Sequence, residues 1–248
     1  MRTPAGAKVI PLRMHFRTLR HGDPAAARVR ARPWAERAPE WNIRPCGTRL
    51  SAVEGLEPGT SDLEARIAAA TSLDTVRGVI FNSTFALLSE AAGKPAAVEC
   101  DPVRRGHRNE FFSYPVTEYL RLAWRAADLL AARYGGREHA LWQMGAGASR
   151  RWLGGPLGST LVAFTGRDPR RLLTNVANGY RNVVSYGARS IEEWLGERHA
   201  RLLFRHDFLV PPFHCGALTA ALEVTCGIPF RAEGREIGFL DSEYEVTW

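Results

Sequence analysis

Near Tyr180 the spacing of apolar residues changes period, and that change constrains the fold more than any other feature of the chain. Upstream, apolar side chains recur at helical intervals: Val116, Tyr119, Leu120, Ala123, Ala127, Leu130, Ala131 and Tyr134 form one stripe, with Glu118, Arg121, Arg125, Asp128 and Arg133 on other faces. Downstream, residues 183–191 and 200–206 read as a first pair of strands, joined by a turn that includes Gly196. Residues 230–233 and 244–248 read as a second pair, with Tyr244, Val246 and Trp248 on one face. Between the pairs a helix over 213–226 carries Leu218, Ala221, Leu222 and Thr225, and Gly227 stops it. This order predicts an α+β fold: a helical N-terminal half packed on a four-stranded antiparallel sheet with β-β-α-β-β topology.

The helical half divides at its punctuation. Asp62 is placed to cap a helix bearing Leu63, Ile67 and Ala70, and Asp74 to cap a second bearing Val76, Val79, Ile80, Leu87 and Leu88, which Gly93 and Pro95 end. Residues 94–109 are polar and turn-rich and read as a loop. Tyr114 and Pro115 open the long helix, and Gly135 and Gly136 close it. The next helix, from about Glu138, aligns Leu141, Met144, Ala148 and Trp152, while Gly145 and Gly147 permit a neighbouring helix to approach closely. A short helix over 157–165 follows. Asp168 and Pro169 then begin one more, with Leu172, Leu173, Val176 and Tyr180 turned inward.

Charge separates residues 1–60 from the rest. This block holds 11 Lys and Arg against 5 Asp and Glu, leaving 22 basic and 21 acidic residues in 61–248. It also carries seven prolines and no sustained period, so it reads as a basic Pro/Arg-rich extension, disordered or loosely packed, ahead of one α+β domain over 61–248. Such an extension suits an acidic surface, a solvated tail or a misplaced start codon, and the near-neutral remainder gives no reason to expect a nucleic-acid partner. No apolar run approaches the roughly 20 residues of a membrane helix, and Pro11 and Arg13 interrupt the one stretch that could serve as an export signal. Cys46, Cys100, Cys215 and Cys226 form no CxxC pair, as expected of reduced thiols in a cytoplasm.

Residues 71–84, TSLDTVRGVIFNST, resemble the opening signature of a paralogous family expanded in myxobacteria and carried as a domain of unknown function. Later blocks agree in order and spacing: YPVTEYLRLAWRAADLL from Tyr114, LGSTLVAFTGRDPRRLL from Leu157, GYRNVVSYGARSIEE from Gly179 and VPPFHCGALTAALEVTCG from Val210. The resemblance runs from about residue 62 to Trp248 and implies a fold and a lineage, not a reaction. At the level of shape, helices followed by β-β-α-β-β look similar to the superfamily of haem nitric-oxide-binding sensors, 4-vinyl reductase domains and TRAPP subunits. In those proteins a hydrophobic pocket between helices and sheet holds haem, a small molecule or an acyl chain.

No catalytic set emerges from the residues. There is no G-x-S-x-G elbow, and the Gly145 to Arg150 stretch lacks the Lys-Ser/Thr ending of a phosphate loop. His206-Asp207, at a strand end before Pro211 and Pro212, reads as turn chemistry on a solvated rim. His199, His206, His214, Cys215 and Cys226 lack the spacing of a zinc site, and the cysteines read as small buried groups. The haem sensors need an imidazole on the helix before the sheet and a Tyr-x-Ser-x-Arg motif for the propionates. Residues 170–180 contain no His, and Tyr186-Gly187-Ala188-Arg189 echoes the motif without its Ser, so neither haem nor another cofactor is expected. The aromatic residues Trp124, Trp142, Trp152, Tyr180, Tyr186 and Trp194 suit a ligand pocket or a partner surface as well as a core. Trp124 sits beside the main stripe, placed to reach a second surface.

The expected function is therefore a non-catalytic regulatory domain that binds a small apolar molecule or a protein partner, with Trp124, Trp142, Tyr180, Tyr186, His214 and Cys215 as pocket candidates. An enzyme akin to the reductase-like relatives and a nucleic-acid-associated protein using residues 1–60 are the alternatives. A homodimer would form through the Trp-bearing helices or a sheet edge.

Overall fold

A computed structural model describes residues 60–248, so the expected basic extension, residues 1–59 of it, lies outside the described residues. Helix α1, Thr60–Ala69, is held by Arg66, which donates to Asp62 one turn earlier at 2.9 Å and pairs with Glu236 far along the chain. Asp62 thus lies within the first turn instead of capping it. Asp74 does not cap a helix either. Its carboxylate accepts from the Thr71 N–H at 2.7 Å and the Thr71 hydroxyl at 2.8 Å, closing a turn before strand β1, Thr75–Arg77. Helix α2, Gly78–Ala92, starts only after that strand.

The segment read as a loop over 94–109 begins with a helix instead, α3, Lys94–Cys100, with Pro95 in its first turn. Beyond it, Asp101 and Arg108 are both buried and pair bidentately at 2.9 and 3.0 Å. Asp101 also accepts backbone N–H groups of Val103, Arg105 and Gly106. On α2, Asn82 clasps the backbone of Arg108, donating to its carbonyl and accepting its N–H, each at 2.8 Å. A Cβ on Gly78 would meet the Asn109 carbonyl oxygen at 2.1 Å. The signature TSLDTVRGVIFNST is therefore a turn, a strand and a glycine-Asn seat for a distant loop. That loop leads into β2, Ser113–Pro115, which pairs antiparallel with β1.

The long stripe forms α4, Val116–Tyr134, ended by Gly135 in the left-handed conformation at φ 76°. Trp124 is only 5% exposed and belongs to the core, so it offers no second surface. Helix α5, Arg137–Leu153, follows, then α6, Pro156–Thr165. Asp168 caps α7, Pro169–Thr174, by accepting the Arg170 N–H at 2.9 Å. The single helix expected up to Tyr180 is broken at Asn175, and α8, Val176–Arg181, is a separate turn-length piece.

The second half matches the expected order with shifted bounds. Val183 and Val184 fold back onto the Tyr180 carbonyl, so strand β3, Ala188–Gly196, begins after Gly187, whose φ of 70° turns the chain. β4, His199–Arg205, buries Ala200, Leu202 and Phe204 on alternate positions. After α9, Pro211–Cys226, come β5, Arg231–Gly238, and β6, Asp241–Thr247, which buries Ser242, Tyr244 and Val246. The four form one antiparallel sheet in the order β3-β4-β6-β5.

Helix α9 is the element on which both layers meet. It is apolar around most of its circumference, as a helix buried on all sides must be. On one side it meets α5 so closely that a Cβ on Gly145 would lie 1.8 Å from the Phe213 carbonyl oxygen, and one on Gly216 would lie 1.9 Å from that of Trp142. On the other, a Cβ on Gly234 of β5 would meet the Tyr244 ring at 2.6 Å and Cys215 Sγ at 3.1 Å. Gly147 has open space and takes no part in the approach. Gly145→Ala or Gly216→Ala is expected to force α5 and α9 apart and destabilise the fold by about 1–3 kcal/mol or more. Gly147→Ala should stabilise by up to about 1 kcal/mol. Urea unfolding of the three variants checks the contrast, which equal effects would refute.

Candidate functional site

A cavity of about 90 Å³ lies where α5, α6, α7, α8 and α9 converge. Its wall is almost wholly apolar, with Leu161, Leu173, Val176, Phe213 and Leu218 among its side chains, and no charged residue lines it. Only three lining side chains carry a polar atom: Ser149, Trp152 and Tyr180. The Ser149 hydroxyl donates to the Ala217 carbonyl at 2.8 Å. The Tyr180 hydroxyl is bonded to His214 Nδ1 at 2.9 Å. The Trp152 indole N–H is buried and has no partner. A Cβ on Gly179 would meet Leu161 at 3.6 Å and the six-membered ring of Trp152 at 3.7 Å, both ordinary contacts.

Behind Tyr180 stands a buried charged cluster. His214, on α9, is fully buried, and its Nε2 lies 3.1 Å from Asp207 Oδ1. Asp207, in the turn after β4, is 1% exposed, which corrects the solvated rim expected for His206-Asp207; only His206 is at the surface, in the left-handed region at φ 51°. The reason is packing. Phe208, Leu209, Val210 and Phe213 follow immediately and are all buried, and they draw the carboxylate in with them. There it pairs with Arg189 of β3 and accepts the Leu209 N–H at 3.1 Å. Arg189 in turn donates to the Tyr186 carbonyl at 2.6 Å and lies over the Tyr180 ring at 4.7 Å.

Electrostatics follow from this enclosure. Burial by itself raises the Asp207 pKa, but neighbouring His214 and Arg189 outweigh it and hold the carboxyl far below its ordinary range. Burial pushes the Tyr180, Tyr186 and Tyr244 hydroxyls well above theirs, so these phenols stay protonated. Removal of Asp207 would leave Arg189 buried and unpaired, a situation that costs several kcal/mol.

Of the six pocket candidates, Tyr180 lines this cavity. Trp124, Trp142, Tyr186, His214 and Cys215 stand outside its wall, although His214 touches Tyr180 and the Tyr186 carbonyl holds Arg189. Trp124 packs under Arg137, whose guanidinium is 5.6 Å from the ring centre. Trp142 and Cys215 belong to the cluster between α9 and the sheet. Sequence reasoning missed Asp207 and the aliphatic wall. A signal for Asp207 existed: a carboxylate leading straight into Phe208-Leu209-Val210 has few ways to stay in water.

No wall residue is His, Cys or Met, and among the described residues no group of three His, Cys, Asp or Glu side chains could hold a metal ion. Among the described residues, no helix is long and apolar enough to cross a membrane.

The arrangement of helices on a β-β-α-β-β sheet is that of the H-NOX domains. An unliganded Fe(II) H-NOX protein from K. algicida superposes with a TM-score of 0.55 at 14% identity, over 69% of this chain and 95% of that one. An Fe(II) H-NOX protein from S. oneidensis gives 0.53 at 13% identity, over 69% and 95%, and a Tt H-NOX variant gives 0.52 at 9%, over 69% and 94%. At such identities the likeness is one of fold. The chain belongs to the family described as a protein of unknown function (DUF2378), whose pattern matches residues 69–248. No curated protein matches it in sequence.

Asp207→Asn is expected to lower the unfolding free energy by about 3–5 kcal/mol, measured by chemical denaturation. The pH dependence has a definite sign. A depressed folded pKa gives stability that is complete above the unfolded carboxyl value of about 4 and is lost as pH falls toward the folded value. The parent protein should therefore lose stability below about pH 4, and Asp207→Asn should lose less over the same range.

Proposed function

We propose that this domain is a non-catalytic sensor that takes up a small apolar molecule in the cavity between α5, α9 and the short helices α6 to α8. The observation that carries the reading is the cavity itself: an uncharged, apolar wall within a fold shared with H-NOX proteins, which are described with haem and in Fe(II) ligation states. Ligand sites are typically apolar with a few polar groups, and an empty apolar cavity of comparable scale can hold one aromatic ring. Catalysis is not favoured by the geometry. Asp207 and His214 are sealed from the cavity, and the one cluster member that reaches it, Tyr180, keeps its proton.

Haem does not fit these residues. The cavity wall supplies no imidazole or thiolate, and the volume is far below the several hundred Å³ of a cofactor-sized pocket. Arg189, at the place where the sequence echoes the propionate motif, is already paired with Asp207. His214, though close by, is held between Tyr180 and Asp207. Hemin added in equimolar amount is expected to keep the visible spectrum of free hemin, and a sharp red-shifted Soret band lost in His214→Ala would overturn this.

Tyr180 connects the cavity to the rest of the fold. It forms part of the wall, and through His214 and Asp207 it reaches β3 and the turn that opens α9. A ligand that displaced the ring would disturb the pairing that holds these elements together, which is how binding could be reported to a partner. Benzene, toluene and cyclohexane are expected to raise the melting temperature of the parent protein. Ala221→Phe, which fills the cavity from α9, should abolish that rise while the variant remains folded by circular dichroism. If none of the hydrocarbons stabilises the parent, the cavity is not a binding site.

A further inference from the structure

We infer that α6 is an interfacial docking element: its outer face lies on an anionic phospholipid bilayer, with Phe164 at the acyl boundary and the flanking arginines on the headgroups. The outward positions of this helix are Pro156, Ser159, Thr160, Ala163 and Phe164, three and four apart along one side, and none is charged. Phe164 is 82% exposed, more than any other large apolar side chain among the described residues. The hydroxyls do not serve water either. Ser159 and Thr160 both donate to the Pro156 carbonyl at 2.9 Å, and Thr165 donates to that of Leu161 at 3.0 Å. Hydroxyls folded back on their own helix leave no donor hydrogen unpaired when water is removed. Gly158 seats the start of α6 on the end of α5, since a Cβ there would meet the Trp152 carbonyl oxygen at 2.3 Å. On the inner side Leu161 walls the cavity, so the helix is apolar on both sides.

Charge identifies the surface that covers this face. Residues 150–171 carry Arg150, Arg151, Arg167, Arg170 and Arg171 against a single carboxylate, Asp168, and all five arginines are exposed. The remainder of 61–248 holds 17 basic and 20 acidic residues, so positive charge concentrates around α6 on an otherwise acidic domain. Arg167 stands three residues beyond Phe164 and forms no ion pair with the described residues, whereas Glu110 holds Arg151 and Asp168 lies 3.5 Å from Arg171. Arg170 rests 4.2 Å from the Trp194 ring centre. An uncharged helix face with a projecting Phe and arginines beyond both ends is the pattern that binds anionic lipid: apolar groups enter the acyl boundary while the cations meet phosphates. At about 1.5 Å per residue the ten residues of α6 span about 15 Å, too short to cross a bilayer and suited to lying in its surface.

Co-sedimentation of the full chain with phosphatidylcholine vesicles, with and without phosphatidylglycerol, tests this. Binding to the anionic vesicles is expected, weakening as salt rises. R167Q/R170Q/R171Q should lower the partition coefficient about fivefold for each charge, so about 100-fold in the triple variant at low salt. Phe164→Asp should lower it by about tenfold or more with an unchanged circular dichroism spectrum. Phe164→Trp should keep the binding, and its added emission should shift to the blue on anionic vesicles and be quenched by lipids brominated on the acyl chains. Residues 1–60 are themselves basic, so binding unchanged in both Phe164→Asp and the arginine variant would belong to that extension and overturn the assignment to α6. An unshifted Phe164→Trp emission, or no binding to anionic vesicles at all, overturns it equally. A parent dimer that Phe164→Asp splits into monomers would put a second copy in place of the bilayer. None of these readouts depends on what the cavity holds.

Discussion

Contact between α5 and α9 at the level of bare backbone sets the geometry of everything around it. Gly145 and Gly216 each face a carbonyl oxygen of the other helix, at distances that no side chain could share. With the helices so close, α9 is pressed between a helical layer and the sheet, and Gly234 admits it on the sheet side. The same closeness turns Phe213, Ala217 and Leu218, all buried, toward the cavity along one flank of α9, where α6 to α8 bridge the gap without filling it. The cavity is thus a by-product of how two helices must approach, with short helices too small to pack it solid.

Burying α9 also fixes where its polar groups can go. His214 has no route to water and finds Tyr180 on one side and Asp207 on the other. Asp207 is satisfied in turn by Arg189 and a backbone N–H, so the cluster balances one carboxylate against one guanidinium inside the core. Such a pair contributes little net stability against an apolar replacement, but half of it alone is strongly unfavourable. It therefore acts as a lock on relative position. The full set of partners is complete only when β3, the β4–α9 turn, α8 and α9 are all in place.

The elements with a regular period were legible in the sequence. Ala200, Leu202 and Phe204, like Tyr244 and Val246, alternate as a half-buried strand must, and the α4 stripe with its Gly135 stop reads directly. The candidate site was legible only in part, in Tyr180, Trp152 and the inward row of Leu172, Leu173 and Val176, because its wall joins faces of α2, α5, α6, α7, α8 and α9 that no local pattern brings together. Val183 and Val184 suggested a strand and instead fold back on Tyr180, since Gly187 must turn first. Gly216 and Gly234 carried no signal of their own. The need for a missing Cβ lies in the partner backbone, which is remote in sequence. Asp207 was misread for the opposite reason: Pro211 and Pro212 announced a turn, and turns are usually wet, whereas this one is carried inward by the apolar residues that follow it.

Arg189 lies over the Tyr180 ring, behind the cavity wall, and Asp207 engages its guanidinium from within the same chain. A free carboxylate arriving from solution would have to evict a rival that is covalently tethered and never diffuses away. If the cavity takes up a ligand as proposed, the chain itself withholds this guanidinium from anions, and shape and oiliness rather than charge decide what enters.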